Sequence, residues 1–584
     1  MDKQKKQWQI ILSEALKKAA IEKGLHQTDF IEKIIVEQPP RPELGDLAFP
    51  MFPFAKDFRT APPAIAASVV AAIREDAPGR AETAGPYVNI FLDRAAVVSA
   101  LVGDVQAHGE SFGHSRHLAD QKVMVEFSCP NTNKPLHLGH LRNDAIGESV
   151  SRILAACGAE VQKVNLINNR GVHICKSMLA YQKFGNGITP ESSGKKGDHL
   201  VGEFYVKFNK WSKEDETAEA QAQDMLIRWE QGDEEVTALW EMMNKWTIDG
   251  IAETYKNTNI SFDRYYYESD TYLSGRDEVL KGLENGVFYK DKDGSIRLDL
   301  SEIGMDTKVM LRSDGTSVYM TQDLGTAIAR HKDFPFDRLI YVVGAEQVYH
   351  FQVLFHALKK LGYSWADMLY HLSYGMVNLP EGKMKSREGT VVDADDLLRQ
   401  LSSMASDEIR IKDRAEAVGD VEDTGQKIAL AALHYFLLQV SPYKDMVFNP
   451  KESLSFNGNT GPYLQYMSAR ISSMLNKYEG LKAEYAGIEE DFSLLTSDVE
   501  WELVKSLSSF PDIVRTAATD LNPSIVACHL YDIAKNFSRF YNDCPILGVD
   551  NKALTVGRIA LSRAVLQVLK NGFKLVNIPF LSKM

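Results

Sequence analysis

The chain has 584 residues, 44% hydrophobic and 25% charged. This length holds about three to four domains, and the composition excludes wholesale disorder and a fibrous repeat. With 66 Lys+Arg against 79 Asp+Glu the net charge is −13, which excludes a polycation that coats nucleic acid; a polyanion partner has to be met by local basic patches.

The charged start, Met1 to Trp8, has no apolar leader, and Trp8, Ile11, Leu12, Leu16 and Ala19 follow at helical spacing. No stretch is long and apolar enough for a membrane span. Cys129, Cys157, Cys175, Cys528 and Cys544 form no zinc-spaced pair, so they read as reduced thiols of a cytoplasmic protein without zinc. Residues 1–115 read as a separate α+β module: a helix near 6–23, Pro/Gly-rich turns, and an alternating, half-buried strand Tyr87–Leu92. From about 122 the pattern changes. A strand over Val123–Phe127, a polar loop Ser128–Pro135, a helix from Leu138 to Cys157 closed by Gly158, and a strand Val161–Ile167 make a β-α-β unit, the building block of a parallel sheet.

Residues 185–260 read as a polar helical insertion; between Lys213 and Glu235 nine acids face two bases, which suits a solvated surface. Strand-like runs at Ile296–Leu300, Lys308–Leu311 and Leu339–Val343, with helices between, continue the sheet to about 390. Residues 396–584 read as helix upon helix, with runs near 497–517, 523–543 and 552–572. The expected architecture is a Rossmann-like α/β domain over 116–395, flanked by the N-terminal module and an all-α bundle.

Chemistry concentrates at His137-Leu-Gly-His140, where loop turns into helix. Two imidazoles at i, i+3 and a helix N-terminus favour phosphate, and Gly139 leaves room for a flat ring. A metal site lacks further ligands at a standard spacing, and neither a P-loop nor a dinucleotide-binding glycine pattern occurs. A second element, the Gly-flanked basic loop Lys383-Met384-Lys385-Ser386-Arg387, suits charge on a leaving pyrophosphate.

These two elements resemble the His-Ile-Gly-His and Lys-Met-Ser-Lys-Ser signatures of class I aminoacyl-tRNA synthetases. The loop from Ser128 through Asn143, Val343-Gly-Ala-Glu-Gln347 with His350-Phe-Gln, and Phe456 through Tyr466 resemble the arginyl-tRNA synthetases specifically. The resemblance spans essentially the whole chain. It departs at the second lysine of the basic signature, for which Lys134, just upstream of His137, is expected to compensate.

The resemblance implies an arginine–tRNA ligase using ATP with Mg²⁺ as substrate, and a monomer whose partners are L-arginine and tRNA(Arg). Lys134, His137, Gly139, His140, Gly344, Glu346, Lys383, Met384, Lys385 and Ser386 would hold ATP, with Lys134, His137, His140, Lys385 and Arg387 catalytic. Asn131, Glu160, Asn165, Tyr319, Asp323 and Gln347 would form the arginine pocket, Glu160 and Asp323 pairing with the guanidinium. The module 1–115 would meet the tRNA elbow through Tyr87 and Asn89. Residues 396–584 would bind the anticodon through Tyr463, Tyr466, Arg470, Arg563, Lys570 and Lys574; the last 34 residues carry six bases and no acid. Two alternatives stand beside this reading: a class I synthetase for another amino acid, and a non-catalytic tRNA-binding relative.

Overall fold

The computed structural model describes residues 2–25, 29–378, 380 and 392–584. It divides into two compact units: Met1–Gly113 with Ile471–Asp512 and Asp532–Leu569, and His114–Arg470 with Ile513–Tyr531 and Lys570–Met584.

In the first unit the helix Asp2–Glu22 buries Trp8, Ile11, Leu12, Leu16 and Ala19, the face its spacing predicts. Strands β1 (Leu47–Pro50), β2 (Gly79–Ala84) and β3 (Tyr87–Leu92) form an antiparallel sheet in the order β1-β3-β2. The central strand differs from the half-buried one expected. Val88, Asn89 and Ile90 are buried in succession, so both faces of β3 are covered there. This module packs on helical segments of its own unit: Trp501 Nε1 donates to Asp46 Oδ1 at 2.6 Å, Arg94 pairs with Asp498 at 2.9 Å, and the Phe112 and Phe510 rings stack.

The second unit is built on β4 (Lys122–Glu126), β5 (Glu160–Ile167), β6 (Arg264–Tyr267), β10 (Arg338–Gly344) and β11 (Leu369–Tyr374). They pair in parallel in the order β11-β10-β4-β5-β6. The runs at Ile296 and Lys308 do not extend this sheet. They are β8 (Ile296–Leu298) and β9 (Lys308–Leu311) of a separate antiparallel sheet with β7 (Tyr289–Lys290). Period-two patterning identifies a strand but not its partner, hence the difference. The 185–260 stretch is helical, with Gly197–Trp211, Ala218–Glu230 and Glu234–Asn257. It buries two apolar clusters, around Phe204, Phe208 and Trp211 and around Met225, Val236 and Met243. The polar face is therefore only half of its character. A C-terminal series of helices is present as expected, including Val421–Leu438, Gly461–Gly480, Asp498–Thr519, Ser524–Asp543 and Lys552–Leu575. Among the described residues no helix is long and apolar enough to cross a membrane.

Candidate functional site

The five parallel strands share one carboxyl edge, where parallel sheets present their ligand sites. Loop 127–137 leaves that edge from β4, and the helix Leu138–Ala156 follows it. The helix lies close on the sheet because Gly147 has no side chain; a Cβ there would meet Phe127 Cγ at 2.2 Å. Arg142, fully buried, donates to the carbonyl oxygens of Gly375, Met376, Pro442 and Lys444 at 2.6–3.3 Å, tying the helix to the chain beyond β11.

His137 is the N-cap of this helix. Its Nδ1 accepts from Gly139 N at 3.1 Å, while His140 Nδ1 accepts from His137 N at 3.2 Å, and the ring centroids lie 3.9 Å apart. An Nδ1 that accepts leaves the ring proton on Nε2, so both rings are fixed as Nε2–H donors. Burial and the charge of Lys134 push His137 down to about 4; burial, His137 and Lys134 hold His140 well below its usual value. Both are neutral at pH 7, so the pair donates hydrogen bonds and Lys134 supplies the charge. Burial also lowers Lys134 from the ordinary lysine value. Lys383, Met384, Lys385, Ser386 and Arg387 lie outside the described residues.

The preceding turn is strained. Ser128 (φ 74°) and Cys129 (φ 49°) are consecutive left-handed residues without a glycine. Side chains hold them there: Ser128 N–H donates to Asn143 Oδ1 at 2.5 Å and Cys129 N–H to Asn165 Oδ1 at 3.1 Å. Asn165 also donates Nδ2 to Tyr255 Oη at 3.0 Å and is fully buried. This corrects the expected role of Asn165: its amide is engaged by the turn and by Tyr255, so it shapes the pocket rather than lining it. Asn131, at the end of that turn, pairs its backbone with Asn168 and leaves its side chain exposed.

Glu160 requires a second correction. It opens β5, in register with Lys122 at the opening of β4, and its carboxylate is 63% exposed, 3.9 Å from Lys122 Nζ. Every strand runs the same way, so Glu160 lies at the amino edge, a strand length from the others. The acid at the carboxyl end of β4 is Glu126, buried and ion-paired with Arg330. Burial raises its carboxyl, Arg330 opposes this and Asp323 adds to it, so Glu126 and Asp323 share one electrostatic field. Glu126 was visible in the sequence as the one charge in Val-Met-Val-Glu-Phe.

Asp323 lies one turn after the exposed Tyr319 on the helix Tyr319–Asp333, with His350 Nε2 2.5 Å from its Oδ2. Glu268 follows β6 directly and is buried. Burial pushes it up to about 7, against Arg170 and with Asp323. With the Gln322 amide in its hydrogen-bonding orientation, Gln322 bridges Glu268 at 2.8 Å and Arg170 at 2.9 Å. Arg170, Glu268 and Glu126, which stand in the same electrostatic field, were not among the candidates read from the sequence, and His350 appeared there only as part of a motif. Gly344 closes β10, and Glu346 and Gln347 are exposed in the turn that follows it. The structure thus gathers Asn131, Lys134, His137, Gly139, His140, Gly344, Glu346 and Gln347 along the carboxyl edge, with Tyr319 and Asp323 joined to it through Glu126 and Glu268.

Of the candidate tRNA residues, Tyr87 is half-buried on β3, and Asn89, two residues on, is 4% exposed with its Oδ1 unpartnered. Tyr463 packs on Tyr531 with ring centroids 5.6 Å apart, Tyr466 is exposed, and Arg470 is half-buried. Arg563 pairs with Glu479 at 2.6 Å, Lys570 lies over the Phe580 ring, and Lys574 is exposed. The opposite face of their helix, Leu561, Val565, Val568 and Leu569, is fully buried.

Three family models match: the catalytic domain of class I tRNA synthetases (R) over residues 99–450, the DALR anticodon binding domain over 464–584, and the arginyl-tRNA synthetase N-terminal domain over 6–92. A Treponema denticola protein named arginine–tRNA ligase is 56% identical over 594 residues, covering 100% of both chains. A Borrelia hermsii protein of the same name is 47% identical, covering 99% of each. The solved arginyl-tRNA synthetase of Thermus thermophilus superposes with a TM-score of 0.79 at 26% identity, covering 98% of this chain and 99% of that one.

Proposed function

The chain belongs to the class I arginyl-tRNA synthetase family and carries its arginine–tRNA ligase activity; we propose that the carboxyl edge of the parallel sheet performs that activity in two steps. In the first, an oxygen of the arginine carboxylate attacks the α-phosphorus of ATP, supplied with Mg²⁺ as substrate. The new P–O bond forms as the bond to the leaving pyrophosphate breaks, giving arginyl-adenylate. In the second, a terminal ribose hydroxyl of tRNA attacks the carbonyl carbon and AMP leaves.

The observation that carries this reading is the paired Nε2–H donors of His137 and His140 at a helix N-terminus, with Lys134 beside them. Neutral donors fixed before substrate arrives stabilise charge that develops on phosphate without reorganising. Gly139, Gly344 and Glu346 complete the ATP site, joined by Lys383, Met384, Lys385, Ser386 and Arg387. No covalent nucleophile is required; positioning and charge stabilisation carry the rate. Arginine is read by Asp323, Glu126 and the Tyr319 face, with Asn131 and Gln347 for its α-amino and carboxylate groups. Glu268 adds a third acid to the field.

The reading divides the chain into a tRNA-elbow module (1–115), a catalytic domain (116–395) and an anticodon domain (396–584), supported by the order of the matched family models. Tyr87 and Asn89 serve the elbow, Tyr87 from its half-buried position and the buried Asn89 by shaping the strand that presents it. Of the anticodon-domain candidates Tyr466, Arg563 and Lys574 are exposed, and Tyr463, Arg470 and Lys570 are partly buried. The protein acts in the cytoplasm as a monomer.

The test is charging of tRNA(Arg) with labelled arginine. His140→Ala is expected to lose at least about tenfold in adenylation while tRNA affinity stays near wild type. Unchanged adenylation sinks the role given to the histidines.

A further inference from the structure

The residues on both sides of His137 are braced by one helix of the insertion. Behind it, Val392–Ala394 runs antiparallel to Leu136–Leu138: Leu138 N–H donates to Val392 O at 3.1 Å, Ala394 N–H to Leu136 O at 3.0 Å, and His137 bridges Asp393. The next acid, Asp395, is held from the start of the Gly197–Trp211 helix. Lys196 Nζ lies 2.5 Å from its Oδ2, His199 Nε2 3.0 Å from the same oxygen, and Thr254 Oγ1 donates to its Oδ1 at 3.0 Å. In front, the same helix lies against the loop itself: a Cβ on Gly202 would stand 2.8 Å from Pro135 Cδ and 3.5 Å from Lys134 Cα. Asp198, His199 and Asp395 lie close enough together to ligate a cation, but Lys196 Nζ already stands 3.2 Å from Asp198 and 2.5 Å from Asp395. The cluster is satisfied internally as an ion-paired clasp.

We propose that His199 and Lys196, acting through Asp395, are positioning residues for adenylation, clamping the 392–394 strand against the His137 turn. The clasp holds the signature turn from behind while Gly202 holds it from the front. This inference rests on the adenylation reading of the His137–His140 site. The charged groups facing His199 are Asp393, Asp395, Asp198 and Lys196. Its side chain is 26% exposed, so the melting temperature of each variant separates a packing loss from a loss of positioning.

The test is ATP–pyrophosphate exchange with arginine and tRNA on the full chain, with melting temperature recorded for every variant. Loss of exchange in His140→Ala tests the site reading independently of the clasp. His199→Ala is expected to lower the exchange kcat about fivefold or more, with KM for arginine within about twofold. His199→Gln, which keeps a donor to Asp395, restores the rate to within about twofold of wild type. Lys195→Ala, one residue before the clasp, leaves the rate unchanged. Combined with His140→Ala, His199→Ala adds little further loss, because both act on one turn. Wild-type kcat in His199→Ala, no rescue by Gln, or fully multiplicative losses each overturn the proposal. Should His199→Ala melt below the assay temperature, Gly202→Ala makes the same test from the other side: a lowered kcat with unchanged KM for arginine supports the brace, and a wild-type kcat overturns it.

Discussion

Asp323 and Glu160 are both acids that a sequence reader can assign to a guanidinium, and their surroundings separate them. Asp323 is held by His350 within the field of Glu126 and Glu268, whereas Glu160 is a solvated carboxylate at the far edge of the sheet. A charge in solvent is screened and contributes little. Asp323→Asn is therefore expected to raise KM for arginine at least about tenfold with KM for ATP little changed, and Glu160→Gln to leave both at wild type, measured by exchange kinetics. Glu268 adds a pH dependence. Its carboxyl is raised to about 7 by burial, with Asp323 adding and Arg170 opposing. It is neutral below that pH and anionic above, and only the anion attracts a guanidinium. KM for arginine should fall as pH rises from 6 to 8, and Glu268→Gln should remove that trend; a KM trend that persists in the variant contradicts the assignment. The histidines, neutral throughout this range, contribute no such break. The His137-x-Gly-His140 chemistry was legible because its spacing is local. Glu126 was not, because its role depends on strand direction, which no single segment reveals, and Asn165 was misread because its partner Cys129 lies 36 residues away.

Elements meet in this fold where side chains are absent. The helices Glu268–Glu284 and Tyr319–Asp333 cross at Gly275 and Gly325: a Cβ on Gly275 would lie 1.7 Å from Thr321 O, and one on Gly325 2.5 Å from Gly275 N. This crossing sets the distance between Glu268 and Asp323. Gly325→Ala is expected to cost about 1–3 kcal/mol, read as a lower melting temperature, and to raise KM for arginine more than KM for ATP. An unchanged melting temperature contradicts the tight crossing. At this scale the sequence was most informative for helices, and it located β3, β4 and β5 as strands although the burial of β3 does not alternate. It misassigned β8 and β9 to the parallel sheet, because short apolar runs do not state which neighbour they bond.

Across the whole molecule the charge of −13 is unevenly spread: nine acids and two bases fall between Lys213 and Glu235, and six bases with no acid in the last 34 residues. The acidic remainder discourages indiscriminate binding of polyanions, while the basic end offers phosphate contacts. Fold class and family were legible because motif matches recur along the entire length, and the His137–His140 motif sits in the strand–loop–helix context its chemistry requires. The central claim is that one carboxyl edge activates arginine specifically. The most direct measurement is ATP–pyrophosphate exchange with each amino acid in turn, with and without tRNA. Exchange with arginine well above that with lysine, glutamate, glutamine or cysteine is the predicted result. Exchange supported by another amino acid and not by arginine, or by none at all, contradicts it.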